Sequence, residues 1–351
     1  MATVGDLTFM PEGIYFDMPE EDYFADPSLS QSSMKWLLVS PMDYWARSAM
    51  NPDRPDDDTS DAMDLGKGYH ARILEGRDVF YDRFAAAVDP DDYPDALRTV
   101  DEIKAALKER ELPVSGNKPA LIDRLLEADP QADIWDRIVA EHAEKHDGKT
   151  LLPPEQMRRI EIAAAMIEKH PQLSKAFTGG EPEVSIFWRD DEYGTPLKAR
   201  IDYLKVAAIC DLKSFANKLN KPIDRAVVQA VSSQRYHIQT AHYDAAIERA
   251  REFVMEGRVF GPAPAWIDKF AAFPRENRQF LFVFQQTGVA PVARGYVMPR
   301  GSVYEIGRMV ARKCIREWRE HMDTFGTDPW IDMTEVSEFE DDAFPVWAME
   351  V

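Results

Sequence analysis

Pro196-Leu-Lys-Ala-Arg-Ile-Asp-Tyr-Leu204 and, after a two-residue link, Ala207-Ala-Ile-Cys-Asp-Leu-Lys-Ser214 decide the fold. Polar and apolar residues alternate in both, the period of strands whose successive side chains point to opposite faces. Glu183–Trp188 precedes them with the same character, and Arg189-Asp-Asp-Glu-Tyr-Gly194 is the turn between. In the third strand Asp211 and Lys213 emerge on one face while Leu212 points into the core. Asp202 lies near the end of the second strand and shares that edge. Two carboxylates beside a lysine suit metal-assisted phosphodiester hydrolysis, in which acids hold a hard cation and an ammonium stabilises charge or positions the attacking water. Taken alone, Asp-x-Lys is more often a surface ion pair. Lys198, Arg200 and Asp202 also share a face, which is costly if buried unless the charges pair or bind phosphate and metal.

Working outward, a long helix over about 223–252 follows, with Gln239 and Tyr243 four apart on one face. Strands over 279–285 and 292–297 flank Thr287-Gly288, and 303–321 is helical. Upstream, a serine N-cap before Met34 opens a helix, 51–60 is an acidic proline-containing loop, and about 62–74 is a helix carrying His70. Pro154–His170 is helical and ends before Pro171. The mixed order predicts an α+β fold, a central mixed sheet flanked by helices. Each site candidate also has an ordinary explanation: His70 a satisfied core histidine, Tyr243 a packed aromatic, Gln239 a solvated amide.

The chain of 351 residues carries 42 Lys and Arg against 62 Asp and Glu, a net charge of −20. That argues against a simple basic nucleic-acid coat or an anionic-membrane binder. The charge is uneven. Residues 1–64 contribute −11 and residues 331–351 contribute −7, which leaves the body near neutral. Two cysteines, Cys210 and Cys314, cannot build a disulfide framework, a Cys-rich zinc site or a four-cysteine iron–sulfur cluster. The start has no secretory pattern, and no run reaches the roughly 18 apolar residues of a membrane span. A soluble, cytoplasmic protein with no membrane partner is the expectation.

In their order these residues resemble the PD-(D/E)XK (restriction-endonuclease-like) nuclease superfamily, in its RecB-like branch and especially the RecE-type exonucleases of phages and prophages. The pieces are Leu65-Gly66-Lys67-Gly68-Tyr69-His70, the strand opened by Glu183, Lys198-Ala-Arg-Ile-Asp202, Cys210-Asp-Leu-Lys213, and Gln239-Thr-Ala-His-Tyr243. The resemblance implies that His70, Asp202, Asp211 and the Leu212 carbonyl hold Mg²⁺, with Mn²⁺ a substitute. Lys213 becomes the catalytic lysine, and Glu183 either an acid of the metal site or one that supports its ligands from behind. Gln239 and Tyr243 would position DNA or the lysine, and Arg200 would contact DNA. It further implies ATP-independent 5′-to-3′ digestion of one strand of linear duplex DNA, leaving 3′ overhangs for a RecT-like single-strand-annealing protein. A homo-oligomeric ring around DNA, inside a bacterial host cell, belongs to the same expectation, with no iron–sulfur cluster. The alternatives are an endonuclease or single-strand nuclease on the same fold, or a non-catalytic DNA-binding or scaffold protein.

Residues 99–126 look like a SAP motif, a helix-extension-helix unit associated with DNA binding. Thr99-Val-Asp-Glu102 is a capping-box start, and Gly116 permits the turn into the second helix. Lys104, Lys108, Lys118 and Arg124 are candidate phosphate contacts. The chain therefore divides into an N-terminal nuclease part (1–96), a SAP-like insertion (97–129), a nuclease core with the catalytic strands (130–330) and an acidic tail (331–351). Arg308, Arg312 and Arg316 recur at helical spacing on the last helix, which suits a DNA-tracking stripe or a solvated face equally well. In the tail, acids alternate with Phe339, Phe344, Trp347 and Met349, a pattern for docking on a partner or for a solvated end.

Overall fold

The computed structural model describes residues 2–4, 7–55, 61–288, 290–336 and 338. The tail residues Phe339, Phe344, Trp347 and Met349 lie outside them. The expected mixed sheet is present and has seven strands: β1 (Gly13–Tyr15), β2 (Glu181–Arg189), β3 (Pro196–Leu204), β4 (Ala208–Phe215), β5 (Val259–Phe260), β6 (Gln279–Gln286) and β7 (Ala293–Val297). Across the sheet the order is β7-β6-β4-β3-β2-β1-β5. β2, β3 and β4 form an antiparallel meander, β6 lies parallel to β4, and β7 returns antiparallel along β6. A parallel neighbour needs a crossover, which the helices between β4 and β6 supply.

Eight helices matter for the site: α1 (Gln31–Leu37), α2 (Asp61–His70), α3 (Val100–Glu109), α4 (Lys118–Ala128), α5 (Pro154–Lys169), α6 (Ile223–Ser233), α7 (Tyr236–Met255) and α8 (Ser302–Phe325). One core joins Ile186, Ile201 and Phe282 of the sheet to Ile238 and Phe253 of α7 and Trp318 of α8. A second joins Tyr203, Leu212 and Val283 to Tyr69 of α2 and Ile160 of α5. The sheet is thus covered on both faces, which is why Val283 and Phe284, consecutive on β6, are both fully buried. Gly307 permits the close crossing of α7 and α8, since a β-carbon there would lie 2.2 Å from the His237 carbonyl oxygen.

Two elements differ from the pattern-based expectation. The single helix expected over about 223–252 is two, because Arg235 takes a left-handed conformation with φ 53° and α7 starts anew at Tyr236. The helix expected over 62–74 stays α-helical only to His70 and continues as a π-turn, Ala71–Glu75, closed by Gly76 at φ 104°. Hydrophobic spacing carries no information on either break. In the small unit around α3 and α4, Ile103, Leu107, Leu121, Leu125 and Ile134 are fully buried and form its core. The Leu97 carbonyl accepts from the Trp135 amide at 3.0 Å and ties the two ends of the unit together.

Thr99 and Glu102 form the expected capping box, and Asn117 caps α4 after Gly116 at φ 128°. Among the described residues, no helix is long and apolar enough to cross a membrane.

Candidate active site

β3 and β4 are paired through only two residue pairs, Tyr203 with Cys210 and Leu204 with Ile209. Beyond them the strands part. Leu197, Ala199 and Ile201 face the core under α7, whereas Tyr203 faces the core under α2, so the alternation slips at Asp202. The Asp202 carboxylate takes the place of a ladder carbonyl: its Oδ2 accepts the Leu212 amide at 2.8 Å. On the other side of β3, Glu183 sits between the paired residues Pro182 and Val184, opposite Asp202, with φ 51°. A left-handed glutamate inside a strand costs on the order of 1–3 kcal/mol, and such strain clusters where a site needs it.

These irregularities bring the expected acids together. Asp211 is fully buried; Lys213 Nζ lies 2.6 Å from its Oδ2, and Gln239 Nε2 on α7 donates to its Oδ1 at 2.6 Å. His70, at the end of α2, bridges the acids of the neighbouring strands, with Nδ1 3.5 Å from Glu183 Oε1 and Nε2 3.9 Å from Asp202 Oδ2. Gly68 permits that placement, since a β-carbon there would come within 2.7 Å of Ile160 on α5. Arg72, in the π-turn, fixes the segment to α5 through Glu161 and Glu168, each at 3.0 Å.

The electrostatics follow from crowding acids in a dry place. Burial and then the Asp211 charge raise the pKa of Asp202 above the usual carboxylate range. Burial disfavours charge on Lys213 and His70 as well, but Asp211 and Asp202 outweigh it on Lys213, and Asp202 and Glu183 outweigh it on His70, so both rise. Glu183 is held low against burial by His70 and Arg200.

The donor set fits a hard divalent cation. Burial and the neighbouring Asp211 charge both disfavour the ionised Asp202, and a cation between the two acids relieves that penalty. Among the described residues, no group of three or more acid, imidazole or thiol ligands is already in ion-holding geometry. Their charges are instead turned to Lys213, His70 and Arg200. Cys210 and Cys314 lie in different cores.

Three of the expected residues do something other than reach outward. Tyr243 is buried and donates to the Arg200 carbonyl at 2.7 Å, while Gln239 holds Asp211 rather than the lysine. Arg200 is occupied by Glu183 at 2.7 Å, with further bonds to Ser185 and the Met18 carbonyl. Lys35 on α1 and Tyr236 at the start of α7 were not anticipated: the Lys213 and Lys35 ammoniums stand 5.1 and 5.4 Å from the Tyr236 ring centroid. Nothing in the sequence links residue 35 to residue 213; only the packing of α1 onto α7 does.

The basic candidates divide similarly. Lys118 pairs with Asp136 at 2.7 Å, and Arg124 donates to the Pro113 and Ser115 carbonyls, closing its own loop. The ammonium groups of Lys104 and Lys108, one turn apart on α3, make no ion pair or hydrogen bond among the described residues. On α8, Arg308, Arg312 and Arg316 each face an acid, Glu305, Glu192 and Glu320 respectively, as an ion-paired solvated surface does.

Comparison with known proteins bears on the small unit first: residues 96–130 match the SAP domain model. No curated protein matches the chain. Among solved structures, a protein from Eubacterium rectale described as "Putative exonuclease" is similar over 87% of this chain and 86% of its own, at 14% identity and a TM-score of 0.45.

Proposed function

We propose that the protein is a metal-dependent deoxyribonuclease, an exonuclease of linear duplex DNA resembling the RecE-type enzymes of the PD-(D/E)XK superfamily. The observation that carries this reading is the convergence of Asp202, Asp211 and Lys213 where β3 and β4 part. An ordinary surface ion pair would leave Asp211 accessible, yet it is fully buried, with one oxygen on Lys213 and the other on Gln239. The SAP match supplies a unit suited to DNA within the same chain.

In this reading Asp202, Asp211, the Leu212 carbonyl and His70 hold Mg²⁺. When bound, the ion supplies Lewis-acid polarisation of the phosphate and a more acidic water. Lys213 neutralises charge on the phosphoryl oxygens and orients the attacking water. Gln239 keeps Asp211 aimed, and Arg200 with His70 keeps Glu183 aimed. Digestion from the 5′ end without ATP, a homo-oligomeric ring and delivery of 3′ overhangs to a RecT-like annealing protein complete the proposal.

The test is incubation with 5′- and 3′-labelled linear duplex and with closed circles, with and without Mg²⁺. Release of 5′ label from linear DNA only, and only with metal, is the expected result. Cleavage of closed circles would point to an endonuclease. No cleavage of any substrate would point to a DNA-binding protein that keeps the fold.

A further inference from the structure

The cations around the acid pair have their charge engaged, with one exception. Lys213 lies on Asp211 and Arg200 on Glu183. Lys198 donates to the Tyr23 and Asp26 carbonyls at 2.7 and 2.5 Å. Lys35 differs: among the described residues its ammonium meets no carboxylate and no hydrogen-bond acceptor, although it is half-buried against Tyr236. One helical turn earlier on the same face, Gln31 is 7% exposed and its Nε2 donor has no acceptor.

We infer that Lys35, with the Gln31 amide, is a further substrate-binding pair that receives a backbone phosphate of the DNA strand lying in the site. An ammonium removed from water without a counter-ion is disfavoured, and the π face of Tyr236 compensates only in part. A buried amide donor without an acceptor carries a similar penalty. Both deficits are relieved by one anion with several acceptor oxygens, and a phosphate is that anion. The shared ring sets the scale. Lys213 and Lys35 each lie within 5.4 Å of one centroid, close enough to take nearby phosphates of a strand that advances roughly 3.4 Å per nucleotide. Burial and then the Lys213 charge push the Lys35 pKa down to about 8, against the opposing pull of the Asp211 carboxylate.

This inference rests on the nuclease reading for the identity of the strand, but it is testable without cleavage. The full chain in EDTA, with a linear duplex oligonucleotide, is titrated over a series of salt concentrations. Lys35→Met keeps the aliphatic stem and removes the charge, and Lys35→Arg keeps the charge. Lys35→Met is expected to weaken binding about tenfold and to lower the slope of log affinity against log salt by about 1, with Lys35→Arg recovering the slope. Its melting temperature should stand at or above the parent's, because an unpaired charge has left a half-buried position.

With Mg²⁺ added, the KM of Lys35→Met should rise more than its kcat falls. Unchanged affinity and salt slope in Lys35→Met would overturn the inference. So would a lowered melting temperature combined with a slope that Lys35→Arg fails to recover, since that marks a purely structural lysine. If the parent chain cleaves nothing with Mg²⁺, the hydrolytic reading fails on that result alone, and the EDTA titration still decides Lys35.

Discussion

Asp211 is the residue on which most of the site depends, since both of its oxygens are engaged by groups from different elements. Asp211→Asn preserves shape and removes the charge, so cleavage should fall on the order of 10³-fold while the melting temperature is retained. Lys213→Ala should lose most hydrolysis yet still bind Mg²⁺ by calorimetry, because the lysine acts on phosphate and water; loss of metal binding as well would assign it to the ion. Gln239→Ala removes a hydrogen bond to a charged acceptor and should cost about 10- to 100-fold in kcat, less than Asp211→Asn. Within the same helical motif, His242 has a different task. It is buried against Trp188, its Nε2 donates to the Lys198 carbonyl at 2.9 Å, and burial lowers its pKa from 6.5 to about 4. The folded state therefore prefers the neutral ring, so this stabilisation is present above pH 6.5 and is lost as pH falls towards 4. Thermal melts should show that loss in the parent and a flatter profile over the same window in His242→Gln.

At the level of elements, the SAP-matching unit has a core of its own and ties its two ends together at Leu97 and Trp135. Replacing 97–135 by a flexible linker should therefore leave the sheet and the site folded. Because the unit brings no acid cluster to the chemistry, the expected loss is in apparent DNA affinity, with maximal rate less changed. Kinetics against DNA concentration for the two forms, circular dichroism confirming the fold, provide the check. Equal affinity with and without the unit would mean that it only packs. Lys104 and Lys108 are the natural contact pair within it, since Lys118 and Arg124 are held by the unit's own structure.

Over the whole molecule, Trp330 closes the core: fully buried, it stacks on Tyr44 at 5.0 Å, and its Nε1 donates to the Gly326 carbonyl. Trp330→Ala should cost about 3–5 kcal/mol. Ending the chain after Trp330 instead keeps that anchor and removes 7 acidic residues, so the net charge moves from −20 to −13. The shortened chain should melt at the parent's temperature. Its oligomer mass by light scattering and its capture of an annealing protein then decide whether the tail docks: both unchanged would mean a solvated end, and a change in either would mean an interface.

The α+β class, the three central strands and the capped helices of the small unit were legible from residue order, because period two, period 3.6 and caps are local properties. The candidate residues were legible for a related reason: Asp202, Asp211 and Lys213 sit at strand spacing, and Gln239 and Tyr243 at helical spacing. What these residues do to one another was not. Glu183 leaves the ordinary strand conformation although its neighbours read as strand. Helix α2 turns to π geometry after His70, and α6 and α7 break at Arg235. Each departure is decided by contacts between residues tens to hundreds of positions apart, such as Arg72 with Glu161 and Lys35 beside Tyr236. Local spacing specifies which side chains share a face. Packing of one face against another decides which of their charges are engaged, and only the folded chain shows Lys35 to be unpaired.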